Sequence, residues 1–354
     1  MYKGMRGETV LFIEAPRLCR TVSSIFQAAG VAGVVSDVIA DSLVDANLEG
    51  HDSHGVVRVV EYLDKISGGE INPLAEPEIV SETPTTMRVD GNQGFGQLVA
   101  AWTMERLINK ADAHKLAMGG IFHCGHVGRA GTYPTMAAIR GMVSLVFVSG
   151  GGSKPRVTPF GGRRPVFGTN PIAAAVPVAD GAPIVLDFST SVVASGKIRH
   201  ILDKGEKLPS GWILDQDGNP SRRAQDYYDG GMLLPAAAHK GYALGLLVEV
   251  LGGLLTGAGS LALPDSGYEV GNGMFIIVFN VNAFRAPETL ATQVKELCNV
   301  IKATPALEED GQVLLPGEPE HQIRKERSAE GIPVPVKTWS AIEAAAKKLG
   351  VDMS

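Results

Sequence analysis

The sequence predicts a mixed α/β (α+β) protein in which a mixed, largely antiparallel sheet fills the middle of the chain and helices from both ends form a second body. Three observations point there. Apolar residues recur at helical spacing in residues 15–50 and again in 288–349, whereas residues 118–282 are dominated by short β-like runs between Gly/Pro-rich loops. Only two convincing helices interrupt those runs, and each parallel connection normally needs a crossover helix. A purely parallel, doubly wound sheet is therefore disfavoured.

The chain has 354 residues, 45% hydrophobic and 20% charged, enough for two domains. The expected division is residues 1–85 with 287–354 as a discontinuous helical domain, and 86–286 as a sheet domain. Ala15 to Gly50 reads as two helices broken at Ala29-Gly30. The polar run His51-Asp52-Ser53-His54-Gly55 follows, then a short helix through Arg58, Tyr62 and Ile66 that stops at Gly68-Gly69. Gly94 to Leu116 carries an apolar stripe from Leu98 to Ile108 and reads as a helix. The β-like runs are Gly119–Phe122, Val143–Val148, Ile172–Val178, Ile184–Phe188 and Met274–Phe279. Helices are expected after Thr132 and over Tyr242–Leu255. The stretch Gly241–Ala258 approaches membrane-spanning length, but Glu249 near its middle and its internal glycines make it a buried core helix. Helical patterning returns from Glu288 to Lys302, a Pro/Gly-rich loop covers Leu314 to Pro319, and a helix over Ser340–Leu349 ends the chain.

Several function classes are disfavoured. A net charge of -6 spread along the chain provides no basic field for nucleic acid. Cys19, Cys124 and Cys298 are few and widely spaced, as in reduced thiols of a cytosolic protein. Met1 to Ala15 lacks the apolar core of a signal peptide, so a cytoplasmic protein without membrane attachment is expected. No metal-ligand spacing occurs among the eight histidines, and no GxSxG elbow is present.

The polar run at His51–Gly55 is the first candidate for chemistry. A helix places Arg58 and Tyr62 on one face, at i and i+4. Near neutral pH an imidazole at His54 can take or give a proton, Ser53 can orient it, and Arg58 can grip a carboxylate. These residues have a structural alternative, His54 packing a turn and Arg58 in a surface ion pair. The second candidate is Gly125-His126-Val127-Gly128-Arg129-Ala130-Gly131, whose small residues would let backbone N–H groups approach a phosphate, with Arg129 adding charge. An ordinary tight turn serves equally. The dinucleotide pattern GxGxx(G/A) at Gly257–Ala262 follows a helix instead of a strand and reads as a helix cap and loop. Further polar clusters stand at Phe167–Pro171, Asp187–Ser191 and Ala238–Gly241, each beside a predicted run or helix start.

In this order the segments resemble the type-2 malate/L-lactate dehydrogenase family, which also contains ureidoglycolate and sulfolactate dehydrogenases and cyclic-imine reductases. The resemblance runs over DSHG at Asp52, HVG at His126, PFGG at Pro159, GTNP at Gly168, LDFSTS at Leu186, LPSGWILD at Leu208, HKGYALGLLVEVL at His239 and LPGE at Leu315. It implies an NAD(P)-dependent enzyme interconverting a small 2-hydroxy acid and its 2-oxo acid, a homodimer, and a non-Rossmann NAD(P)-binding domain. NAD is the expected cofactor, with NADP the alternative. By the same resemblance His54 is the acid/base and Ser53 its hydrogen-bonding neighbour, with His126 the second candidate base. Substrate contacts fall on Arg58, Tyr62 and Thr169. Cofactor contacts fall on His126, Val127, Gly128, Arg129 and Ala130, on Asp187, Phe188 and Ser189, on His239 and Lys240, and on Pro316, Gly317 and Glu318.

Two departures stand out. Where the imine-reducing members resemble one another in an Arg-Gly-Asp run, this chain has Ser195-Gly196-Lys197, and a cation there would oppose an iminium substrate. Ala236-Ala237-Ala238 stands where many relatives carry a glycine-rich stretch. The competing readings are a cyclic-imine reductase of the same family and a non-catalytic cofactor-binding sensor.

Overall fold

The computed structural model describes residues 9–150, 154–263, 271–308 and 311–353. The chain begins with β1 (Val10–Ile13), α1 (Ala15–Ala28) and α2 (Gly33–Leu48), and Gly30 at φ +89° turns the chain at the predicted break. Two 3-10 turns, Asp52–His54 and Val56–Arg58, lead into α3 (Val59–Ser67). Next come β2 (Glu78–Glu82), β3 (Thr86–Gly94), α4 (Gly96–His114), β4 (Leu116–Cys124), α5 (Thr132–Ile139) and β5 (Met142–Gly150). The middle continues through β6 (Ile172–Val176), β7 (Ile184–Phe188), α6 (Ser195–Asp203), β8 (Ile213–Leu214), β9 (Pro220–Ser221), α7 (Ala224–Tyr228) and β10 (Met232–Leu233). The chain then forms α8 (His239–Val248), which runs on as a π-helical segment over Glu249–Leu255, followed by β11 (Asn272–Asn280) and α9 (Pro287–Lys302). Last are α10 (Glu318–Glu330), β12 (Ile332–Pro335) and α11 (Val336–Lys348).

The main sheet has seven strands in the order β2-β3-β4-β11-β5-β6-β7. Among the described residues of this sheet only β3 and β4 pair in parallel, and α4 is the crossover between them. The sheet is thus mixed and largely antiparallel, as predicted. Its centre is β11, whose Met274, Ile276 and Val278 are fully buried on one face while the pleat turns the intervening residues to the other. They join Met104, Leu107 and Ala111 of α4 and Tyr133 and Ala137 of α5 in one core. A second core unites the chain ends, where Leu18, Ile25, Phe26, Ile39 and Leu43 meet Ile332, Val334, Trp339 and Ile342. Antiparallel pairing of β1 with β12, from Val10 opposite Pro335 to Ile13 opposite Ile332, closes that body. A third, smaller core gathers α6, α7 and the three short strands around Ile198, Leu208 and Tyr227.

All five predicted β-runs are strands. Strands β1, β2, β3 and β12 and helix α10 lacked a signal the pattern could read. α10 is charged on all sides and buries no residue, so it has no apolar stripe. The segment expected as a buried core helix needs correction. Gly241, Gly245, Val248, Glu249, Gly252 and Gly253 face inward, but Leu244, Leu247, Val250 and Leu254 are each about 40% exposed. The glycines explain its position. A Cβ at Gly252 would lie 3.0 Å from the Phe147 carbonyl, so this helix lies with backbone nearly touching the sheet.

Candidate active site

The turn after α2 is built by Asn47, whose side-chain oxygen accepts the Val56 N–H at 2.8 Å while its amide donates to Asp52 Oδ1 at 2.6 Å. A Cβ at Gly55 would come within 2.2 Å of Asn47 Oδ1, so only glycine lets the chain pass. Arg327 of α10 grips Asp52 through both carboxylate oxygens, at 2.6 and 3.0 Å. The turn held in this way presents Ser53 and His54.

His54 and His126 meet edge to edge: Nδ1 of His54 lies 3.2 Å from Nε2 of His126, with the rings only 9° from parallel. Behind them the Tyr62 hydroxyl lies 2.7 Å from His126 Nδ1 and accepts from Gln97 Nε2 at 2.8 Å. A buried hydroxyl that accepts from Gln97 leaves its own hydrogen to give, and His126 Nδ1 is the acceptor in reach. His126 then carries its proton on Nε2 and donates to His54 Nδ1. The remaining His54 proton sits on Nε2, the ring edge away from His126. Burial, then Arg58 and His51, pushes the His54 pKa down to about 3, and burial with the fields of His54 and Arg58 holds His126 well below its ordinary range. Both imidazoles are neutral near pH 7, and both keep partial access to solvent.

Tyr62, expected at the substrate, is only 1% exposed and its hydroxyl is spent on His126 and Gln97, so its place is corrected to a support of the histidine pair. Arg58 stands half-buried beside the pair, but Nε already donates to the Ser53 carbonyl at 2.7 Å and Nη1 to Glu61 at 2.5 Å. Either two-pronged face of the guanidinium has one prong taken. A bidentate carboxylate grip would have to displace one of these partners. Segment Ser195-Gly196-Lys197 abuts the same turn, because a Cβ at Gly196 would sit 2.9 Å from Ser53 Cβ. Lys197 itself is exposed.

The loop from His126 to Gly131 departs from the phosphate cradle expected of it. The Gly131 N–H donates to Asp187 Oδ2 at 2.7 Å, Arg129 Nη1 is bound to Glu49, and Arg129 Nε faces Asp187 at 3.7 Å. Val127 and Ala130 are buried, and the Val127 N–H is spent on Asn272 Oδ1 at 3.0 Å. Gly128, at φ +74°, shapes the loop. Arg129 and Asp187 are therefore a structural pair. Burial raises the Asp187 pKa, and Arg129 opposes that rise without cancelling it.

Other expected cofactor residues lie partly or fully open along β7 and the segment that follows it. Phe188 is 39% exposed at the end of edge strand β7, and Ser189 Oγ bonds to the Ser191 carbonyl at 3.2 Å. Pro316 accepts the Val185 N–H at 3.1 Å, which seats Pro316-Gly317-Glu318 along that strand. Glu318 caps its own turn by accepting the Leu315 N–H at 2.9 Å. His239 and Lys240 are exposed at the start of α8, joined to β7 by the Ala236 N–H that donates to Thr190 at 2.9 Å. The Thr169 carbonyl accepts the Thr190 N–H at 3.0 Å, so Thr169 belongs to this cluster. Ala237 and Ala238 both have positive φ, +46° and +58°, a conformation suited to the glycines of the resembling family.

A cavity of about 410 Å³ lies beside Gly69, Gln93, His123 and Asn272, and it reaches the candidate loop at Cys124-Gly125. None of the expected site residues lines it. Sequence reasoning missed Gln97, Asn47, Glu49 and Arg327. Gln97, Glu49 and Arg327 act through partners distant in the chain, and Asn47 acts on the turn just after its own helix, which nothing in its local pattern marks.

A family model described as malate/L-lactate dehydrogenase matches residues 13–343. The chain is 36% identical over 343 residues to hydroxycarboxylate dehydrogenase B of Escherichia coli, covering 96% of this chain and 94% of that protein. Among solved structures it is similar to malate dehydrogenase from Pyrococcus horikoshii OT3, with a TM-score of 0.88, 30% identity and 99% of each chain covered. It is also similar to the Δ1-piperideine-2-carboxylate reductase from Pseudomonas syringae pvar. tomato, with a TM-score of 0.84, 30% identity, and 95% of this chain and 100% of that one covered.

Proposed function

The chain belongs to the malate/L-lactate dehydrogenase family and is a 2-hydroxy-acid dehydrogenase, and we propose that it interconverts a malate- or lactate-like acid and its 2-oxo acid with His54 as the acid/base. The observation that carries this is the bonded pair His54–His126 at 3.2 Å, neutral and partly accessible. In the tautomer set by Tyr62, the free edge of His54 offers an N–H to a carbonyl oxygen. A neutral imidazole in that role polarises the carbonyl as charge develops on it. When that oxygen takes the proton from Nε2, the hydrogen bond from His126 to Nδ1 holds the His54 ring in place, and Nε2 is reprotonated from solvent. Oxidation runs the protons the other way, with His54 receiving the hydroxyl proton. Arg58 adds positive charge and one free prong for the substrate carboxylate. That carboxylate also offsets the field of Arg58 and raises the His54 pKa toward the range useful for catalysis.

The donor set fits an anionic dinucleotide, so NAD is the proposed cofactor, with NADP the alternative. Lys240 and His239 would take its phosphates, Ser189 would add a hydroxyl, and exposed Phe188 would lie against a ring. When bound, the nicotinamide supplies or accepts the hydride at the substrate C2. The proposed binding domain is the sheet body, expected over 86–286 and without a Rossmann unit, and its boundary moves back to include β2 (Glu78–Glu82), which pairs with β3 in the main sheet. Residues 1–85 with 287–354 are the proposed helical body, supported by the β1–β12 pair and the shared terminal core. Within it α9 leans toward the sheet body, because Ala291 accepts the Ala179 N–H and Lys295 pairs with Asp180. Among the described residues no helix is long and apolar enough to cross a membrane, and a cytoplasmic location is proposed. A homodimer is proposed on the exposed apolar face of α8 and its π-helical extension.

Similarity to the piperideine-carboxylate reductase supports a second reading, reduction of a cyclic imine. Lys197, one residue from the Gly196–Ser53 contact, favours the oxo acid, since a cation opposes an iminium and suits a developing oxyanion. Its exposure lets water screen that preference. The test is a screen of 2-oxo acids and cyclic imines with NADH and NADPH, following nicotinamide absorbance. Pyruvate- or oxaloacetate-like acids should exceed the imines in kcat/KM by about tenfold. Imines ahead by that factor would transfer the protein to the second reading.

A further inference from the structure

Helix α10 holds Glu320, Arg324 and Arg327 on one face, at i, i+4 and i+7. All three reach the end of α2 and the turn that follows it. Glu320 Oε1 lies 3.5 Å from His51 Nε2, and Arg324 reaches Asp45 at 3.1 Å and Glu49 at 3.0 Å. Arg327 forks onto both oxygens of Asp52 and also donates to the Asn47 carbonyl. Between these contacts Ile323 fits against Gly50, where a Cβ would come within 2.8 Å of Ile323 Cδ1. The helix buries nothing of its own, so polar contacts with this turn are a main part of what fixes it. The pattern places two arginines at the C-terminal end of α2, where the helix dipole is negative and four carbonyls lack intrahelical donors.

We propose that Arg327 is a positioning residue for the dehydrogenase reaction: by clamping Asp52 and the Asn47 carbonyl together it sets the turn that aims His54 at the substrate. The inference rests on the reading of His54 as the acid/base. Arg327 touches Asp52 and Asn47 and neither histidine, so its effect on the reaction passes through the turn. Asp52 is next to Ser53, and Asn47 also binds the Val56 N–H, so the clamp spans the turn from both sides. A lysine would keep the charge but lose the planar fork that holds two groups at once.

The test compares Arg327→Lys, Asp52→Asn and the double variant with the wild-type enzyme, counting folded sites by fluorescence titration with reduced cofactor. Arg327→Lys should lower kcat per folded site by about tenfold while cofactor affinity stays within about threefold, and the double variant should fall no further than the worse single one. Adding free guanidinium to Arg327→Ala should restore part of the lost turnover. A purely structural role predicts fewer folded sites with unchanged kcat per site, and that result overturns the proposal, as does an additive double variant. Should Arg327→Ala fail to fold, Arg327→Lys and Asp52→Asn, which preserve charge or shape, decide the matter. Full turnover in His54→Gln would overturn the acid/base reading itself. Full turnover in Arg327→Lys beside an inactive His54→Gln would overturn the positioning role alone.

Discussion

His54→Gln replaces the imidazole with an amide that cannot shuttle a proton, so turnover should fall by about a hundredfold while cofactor binding changes little. His126→Gln should cost less, because His126 supports His54 through one hydrogen bond, and a larger loss at His126 than at His54 would reverse their roles. The depressed pKa of His54 also ties stability to pH. Its folded value, about 3, lies below the ordinary 6.5, so the unfolded chain binds that proton more readily. Stability attributable to His54 is therefore present above pH 6.5 and lost as pH falls toward 3. Melting temperatures across that interval should drop less in His54→Gln than in the wild type, and parallel curves would contradict the depressed value. At Ala238, φ +58° and ψ -121° place a β-carbon where glycine alone is comfortable. Ala238→Gly should relieve strain worth more than the entropy glycine adds, a net gain of about 1 kcal/mol, read as a rise in Tm of about 2 °C. A lower Tm would show that the turn is held without strain.

At the level of elements, the dinucleotide-like pattern at Gly257–Ala262 serves as a turn. Gly257 and Gly259 have φ of +89° and +80°, and a Cβ at Gly257 would come within 2.4 Å of the Arg88 guanidinium. They turn the chain after the π-helical segment, where Arg88 Nε donates to the Thr256 carbonyl at 2.8 Å. Gly257→Ala should thus destabilise the fold by about 1 to 2 kcal/mol and leave the affinity for reduced cofactor unchanged, as measured by denaturant titration and fluorescence. A selective loss of cofactor binding would return the pattern to the cofactor site. The π-helical segment opens on a buried carboxylate. Glu249, 3% exposed, accepts from Asn170 at 2.7 Å and from Ser260 at 2.6 Å, and a buried carboxylate without those donors would be costly.

For the whole molecule, the outward face of α8 is an apolar feature that one chain leaves uncovered. Leu244, Leu247, Val250 and Leu254 recur at i, i+3, i+6 and i+10, each 38–45% exposed. A second copy of the chain would cover them. Leu247→Glu would then place a charge in an apolar interface and shift a dimer to monomer, losing about 2 kcal/mol or more of association. Analytical ultracentrifugation of both proteins decides this, and a monomeric wild type would overturn it.

How much of this was legible in the sequence depends on the range of the forces involved. Helical and strand periodicity records which face of a segment meets apolar neighbours, so α1, α2, α4 and the strands β4, β5, β6, β7 and β11 could be read locally. Family order in eight short motifs led to His54, His126 and the loops around β7. Strand β3 escaped because its Asp90-Gly91-Asn92 run carries turn chemistry, and α10 escaped because ion pairs to another helix, not apolar burial, hold it in place. The same limit explains the misread roles. Whether Arg129 meets a phosphate or Asp187, whether Tyr62 meets substrate or His126, and whether the face of α8 is inside or outside are decided by partners far along the chain. Side-chain pairing and burial are properties of the packed whole, and residue type at one position records only what it is able to do there.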